Sequence, residues 1–159
     1  MKRIEDLLRD EATAILDEAA PTIERLEHYH RDGADQTRLR VEALYRHVAR
    51  AITARDLDGL ATHAARVARE RFDGGFDVAE VRAAFAALEE AIERRALARL
   101  SPEEQGLVGT ALAHARSELW RTFASLASDR ARGADRTPRQ RFGPRPARTR
   151  RADELVYPV

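Results

Sequence analysis

Five histidines, at positions 28, 30, 47, 63 and 114, are the side chains in this chain best suited to hold a metal or a haem. A di-metal carboxylate centre inside a helical bundle needs a Glu-x-x-His pair from each of two helices. Glu27 and His30 supply one. Leu44, Leu60 and Ala111 stand three residues before His47, His63 and His114, so no second pair forms and no metal site is expected. Haem needs less, a single axial histidine on an apolar helix face. His63 flanks Leu60, Ala64 and Val67, and His47 flanks Leu44 and Val48, which makes these two the candidates for a flat cofactor. Histidines at the edge of an apolar stripe are ordinarily half-exposed and ligand-free, so the expectation is no cofactor.

Other chemistries find less support. Zero cysteines exclude disulfides, thiolate nucleophiles and Cys-ligated zinc or iron–sulfur clusters. Asp17-Glu18 and Glu89-Glu90 lie beside apolar stripes, where carboxylates face water. A carboxylate pair for acid–base work would need a cleft to perturb it. Ser101, Ser117, Ser125 and Ser128 lack the strand-to-helix context of a nucleophile elbow. A non-catalytic protein is expected.

Charge is distributed unevenly. Residues 130–159 hold nine arginines against Asp135, Asp153 and Glu154, a net of +6, so the preceding residues carry −5 of the total of +1. Basic arms bind phosphate backbones by releasing counterions. Arg139, Arg141, Arg145, Arg148, Arg150 and Arg151 are the candidates for contact with nucleic acid or an acidic partner. Only Phe142 and Tyr157 could stack on bases there, which is sparse for a single-strand binder. Leu155-Val156-Tyr157-Pro158-Val159 is apolar enough to serve as a docking peptide. Lys2 is the one lysine, so the arginine content also reflects genome composition.

The elements that would position these groups are helical, with apolar residues recurring at three and four and no alternation of period two. Ile4, Leu8, Ala12, Ile15 and Ala19 predict a first helix that Pro21 ends or kinks. Ile23, Leu26 and His30 predict a short second helix, stopped near Asp32-Gly33. A third starts at Asp35 and presents Val41, Leu44, Val48 and Ile52. Asp56 caps a fourth, with Leu57, Leu60, Ala64, Val67 and Ala68 facing inward as far as Phe72. Val78, Val81, Phe85, Leu88 and Ile92 mark a fifth, reaching about Leu100. Ser101-Pro102-Glu103-Glu104 opens a sixth with Ser at the N-cap, Pro at N1 and Glu at N3, and Val108, Leu112, Ala115, Leu119, Phe123 and Leu126 line it. The pattern stops near Asp129. Residues 1–130 therefore predict an all-α compact bundle of five to six amphipathic helices, and residues 131–159 a disordered arginine-rich tail. The alanines of the fifth helix (79, 83, 84, 86, 87 and 91) suit close helix packing or an isologous homodimer seam.

One stretch reads as a signature: Arg71-Phe72-Asp73-Gly74-Gly75-Phe76-Asp77-Val78-Ala79-Glu80-Val81. Gly74 and Gly75 end a helix, Asp77 and Glu80 form a capping box for the next, and Phe76 is placed to staple onto Val81. With Phe85, Leu88 and Ile92 after it, and with Arg55-Asp56-Leu57-Asp58-Gly59-Leu60 as the polar break before the fourth helix, this stretch resembles the N-terminal domain of RsbT co-antagonist proteins, the bacterial stressosome regulators. The resemblance covers residues 1 to about 128. It implies an all-α sensory or protein-interaction domain, globin-like without haem, often dimeric and beside a signalling output domain. An arginine-rich segment stands where that output domain follows in the family, and Asp17-Glu18 stand where a large residue is expected after Ile15-Leu16.

The expected function is thus a stand-alone regulatory module in bacterial signalling, working through a protein partner or a homodimer. The alternative is a nucleic-acid-associated helical protein that grips phosphate through its tail. No stretch approaches the roughly 20 apolar residues of a membrane span, and the acidic start lacks a signal core, so a cytoplasmic location is expected.

Overall fold

The computed structural model describes residues 3–136, and every regular element among them is helical. The arginines proposed for phosphate contact, from Arg139 to Arg151, and the Leu155–Val159 segment lie outside the described residues. Seven α-helices follow in order: α1 (Ile4–Asp10), α2 (Ala12–Glu24), α3 (Glu27–Asp32), α4 (Ala34–Thr53), α5 (Leu57–Asp73), α6 (Val78–Arg95) and α7 (Pro102–Arg136), with a 3-10 turn at Leu97–Arg99. No helix among the described residues is long and apolar enough to cross a membrane. The compact unit spans Met1–Leu126; the last turns of α7 belong to a separate unit beginning at Ala127.

The expected first helix is divided at Glu11, and Pro21 divides nothing. Glu11 flattens to φ −86°, ψ −6°, and its carboxylate pairs with Arg99 of the 3-10 turn. Pro21 sits inside α2, which continues to Glu24. A mid-helix proline costs about 3 kcal/mol, chiefly through one lost backbone bond and a ring clash. Continuing the helix buries Ile23, 1% exposed, whose burial is worth about 1.5–3 kcal/mol, together with the neighbouring core. The two effects are of one size, so the helix survives.

α2 occupies the middle. It packs most extensively on α6 and on α4, and α4 packs in turn on α5. Ile15, Ile23, Val48, Leu60, Leu88, Ile92, Val108 and Leu119 are the large side chains sealed most completely. Ion pairs frame this core: Asp17 with Arg38 at 2.7 Å, and Glu18 with Arg94 and Arg95 at 3.2 Å each. Glu89 departs from expectation. It is half-buried and faces Arg116 of α7 at 3.3 Å, and burial pushes its carboxyl up. Phe72 and Phe123 meet edge-on at 5.4 Å, and Phe85 and Trp120 at 6.4 Å, joining α7 to α5 and α6.

The helix ends follow from local chemistry. α6 stops at Arg95, short of the expected Leu100, and the chain tightens into the 3-10 turn Leu97–Arg99 ahead of Ser101, which proline keeps out of the helical region. Leu100 is already extended, at φ −103°, ψ 152°. The Ser101 capping box is closed both ways: the Glu104 amide donates to Ser101 Oγ at 3.2 Å, and the Ser101 amide donates to Glu104 Oε1 at 3.1 Å. Ser101→Ala is expected to lower stability by about 1 kcal/mol, read as a shift in the urea midpoint with unchanged slope. At its other end α7 runs to Arg136, past the expected stop near Asp129. Gly133 weakens a helix by only about 1 kcal/mol, and the first strict breaker in the sequence is Pro138.

The start of α5 depends on a glycine. Asp56 Oδ1 accepts from the Gly59 amide at 2.9 Å, as an N-cap should. A Cβ at position 59 would lie 2.4 Å from Asp56 Oδ2 and 2.9 Å from its Cγ. Only glycine lets the carboxylate come so close.

Candidate functional site

The Arg71–Val81 segment is a Schellman motif followed by a new helix. The Phe76 amide donates to the Arg71 carbonyl at 3.0 Å, and the Gly75 amide to the Phe72 carbonyl at 3.1 Å. Gly75 takes the left-handed conformation this closure requires, at φ 78°. A Schellman turn usually joins its two ends with an apolar contact. Here a cation fills that role, for the Arg71 guanidinium stands 5.4 Å from the centroid of the Phe76 ring.

Arg71 is buried, 4% exposed, although an arginine in the last turn of a helix usually reaches water. It falls on the stripe begun by Leu60, Ala64 and Val67, which aims it at the core. Its guanidinium also lies 5.6 Å from the Tyr29 ring. Burial pushes the Tyr29 hydroxyl up, while the Arg71 charge and its hydrogen bond to that hydroxyl pull the other way. Arg71 Nε has no acceptor among the described protein groups. Its carboxylate neighbour is Glu70, 3.8 Å from a terminal nitrogen and itself largely exposed. A guanidinium held this way is under-compensated.

Phe76 gathers the rest. Its ring meets Tyr29 edge-on at 4.9 Å and His28 at 5.0 Å, and Arg40 of α4 stands 5.7 Å from it. The expected staple partner Val81 is buried in the same core.

The expected capping box at Asp77 is only half made. Asp77 Oδ1 accepts from the Ala79 amide at 3.1 Å. Glu80 turns away from Asp77 to α3, where the His28 amide donates to its Oε2 at 3.0 Å and His28 Nδ1 lies 2.6 Å from its Oε1. The physical reason is the number of donors. Asp77 would offer one amide, whereas His28 offers an amide and a ring nitrogen, and α3 has no cap of its own at Leu26. Glu80 thus caps a helix 52 residues earlier in the chain. Glu27, His28 and Glu80 are also the group among the described residues whose ligand atoms come within 4.8 Å of one another. The paired histidine is His28; His30, the residue of the Glu-x-x-His spacing, is exposed.

A cavity of about 40 Å³ opens beside this cluster. Tyr29, Arg40 and Arg71 are polar members of its wall, and Leu44, Phe85 and Leu88 are among the apolar ones. A larger and more open groove of about 440 Å³ runs between α1, α2 and α4, lined by Glu5, Arg9, Glu42, Tyr45, Arg46 and Arg50 among others.

The two histidines singled out for a flat cofactor stack on each other. Their centroids are 3.9 Å apart with the planes 16° from parallel. His63 is 8% exposed, and neither of its ring nitrogens meets a protein partner. Burial first, then His47, Arg66 and Arg71, lower it to about 4. His47 is likewise lowered, by burial and by Arg66, Arg46 and Arg50, against Asp56. An axial ligand needs open space in line with a ring nitrogen. Those of His63 are enclosed by packed protein, and neither histidine lines the two cavities above. His63 therefore does not fit as an axial haem ligand.

Gly74, Gly75 and Phe76 form the turn and Asp77 caps α6 as their spacing implies, whereas Tyr29 and Arg40 were not expected there and Arg71 was named in the stretch without a role. The signal for Arg71 was available, since it continues the inward stripe of α5. No protein-family model, curated protein or solved structure matches this chain.

Proposed function

We propose that this chain is a non-catalytic regulatory module of the bacterial stress-signalling type, acting by binding a protein partner or a second copy of itself. The observation that carries the reading is the α5–α6 turn, where Arg71, Phe76 and Glu80 tie α3, α4 and α6 to one under-compensated charge. A joint held by a few polar contacts is the sort of element that has two arrangements within reach of a binding energy. The globin-like arrangement and the cytoplasmic location belong to the same reading. Self-association is favoured by Ala79, Ala83 and Ala86, exposed at spacings of four and three on α6, where a second helix can approach closely. Light scattering on the full chain over a concentration series should show a dimer, and Ala83→Glu should convert it to monomer. A particle that stays monomeric at the highest concentration, with no partner retained by the tagged chain, removes the proposal.

A second reading rests on the net +6 of residues 130–159. It expects salt-sensitive binding to DNA or RNA that is lost when residues 137–159 are deleted. Partner binding unchanged by that deletion favours the first reading.

A further inference from the structure

We propose that the cavity beside Arg71 is a binding site for a short aliphatic monocarboxylate, its carboxylate held by Arg71 and Tyr29 and its carbon chain lying among Leu44, Phe85 and Leu88. Three observations converge on this chemistry.

The first is charge. Two guanidinium groups, Arg40 and Arg71, line one small space. Arg40 is neutralised by Asp32 at 2.5 Å, but Arg71 has only the exposed Glu70 at 3.8 Å, beyond hydrogen-bonding range. Glu80, the other carboxylate of the cluster, is spent on the two donors of His28. A buried cation without a close counter-charge costs several kcal/mol, and an anion in the cavity would offset much of that.

The second is donors. Arg71 and Tyr29 both line the wall, and the Tyr29 hydroxyl is already hydrogen-bonded to the Arg71 guanidinium, which sets the two donors side by side. A planar carboxylate has two oxygens to accept from such a pair, in the geometry that suits a guanidinium edge.

The third is size and lining. A cavity of about 40 Å³ admits about three water-sized groups, close to the bulk of acetate, so each added carbon should cost affinity. The remaining wall is apolar, so a bare halide would satisfy the charge and leave that surface without a partner. A longer chain would have to displace the core.

This site would be the input of the regulatory module proposed above, and rests on that reading for its consequence only. Binding is measured on the full chain without reference to oligomeric state or partner. Thermal unfolding and calorimetric titration are run with sodium acetate, propionate and butyrate, and with sodium chloride at equal ionic strength. The carboxylates should raise Tm by about 5–10 °C at a hundred times their dissociation constant, and chloride should not. Arg71→Gln should abolish the shift. Leu44→Phe, which fills the cavity and keeps every polar group, should abolish it too while leaving the circular dichroism spectrum unchanged; it decides the matter if Arg71→Gln does not fold. Equal shifts from chloride and carboxylate, no shift from any carboxylate, or a shift that survives Leu44→Phe would each overturn the site. A chain that neither dimerises nor retains a partner, with carboxylate binding intact, would remove the regulatory reading and leave the site standing.

Discussion

Phe76→Ala should destabilise the protein by about 3–5 kcal/mol, the range for deleting a buried aromatic ring. That is a large share of the roughly 5–15 kcal/mol a domain of this size possesses. The ring is 8% exposed and touches groups from three other helices: His28 and Tyr29 of α3, Arg40 of α4 and Arg71 of α5. Removing it takes away apolar burial and leaves Arg71 over a void. Phe76→Leu keeps most of the volume and loses the interaction with the guanidinium, so a smaller cost of about 1–2 kcal/mol is expected. Urea unfolding measures both. Amide exchange adds a local readout, because the amides of Glu27–Asp32 should lose protection first. A cost under 1 kcal/mol for Phe76→Ala would show that the turn is held by its glycines and caps alone.

The second large effect concerns acid. His63 is lowered to about 4 in the folded state, chiefly by burial, with His47 of α4 and Arg66 and Arg71 of α5 adding to it. In the unfolded chain it titrates near 6.5. The unfolded state therefore binds the proton first, and stability present above pH 6.5 is lost progressively as pH falls towards 4. The full loss is roughly 2–3 kcal/mol, allowing for the partial titration of His47 alongside. His63→Leu should remove most of this slope, leaving the smaller part that belongs to His47. It should also raise stability at pH 7 by about 1–2 kcal/mol, because two nitrogens without protein partners disappear from the core. Urea midpoints at pH 7, 6 and 5 test both parts. A wild-type profile flat over that interval, or a less stable His63→Leu at pH 7, would mean that the imidazole has found partners of its own.

Much of the architecture could be read from the residues, because caps and stripes act over three or four positions. Ser101-Pro102-Glu103-Glu104, Asp56 and the Gly74-Gly75 pair each did in the fold what their spacing promised. Pro21 did not end its helix, because the burial of Ile23 beyond it is a tertiary effect that no local rule contains. Glu80 misled for the same reason. Three residues after Asp77 it has the form of a capping box, and only the fold brings His28 within reach. The two histidines were each visible on the edge of a stripe, but that they would stack depended on how α4 meets α5. Arg71 stands in the signature stretch, but its burial was not foreseen. Its charge argued for the surface, while its register on α5 argued for the core, and register prevailed.

Asp56 and Gly59 carry a consequence for how this sequence can change. Any side chain at 59 collides with the carboxylate that caps α5, and without that carboxylate glycine in the first turn of a helix has no advantage over alanine. Each residue is the reason for the other. Gly59→Ala alone should be harmful, whereas the same change beside Asp56→Ala should be neutral or better, a reversal of sign within three positions. A lineage could leave this arrangement only by passing through a weaker intermediate, so the pair should be inherited, or lost, together.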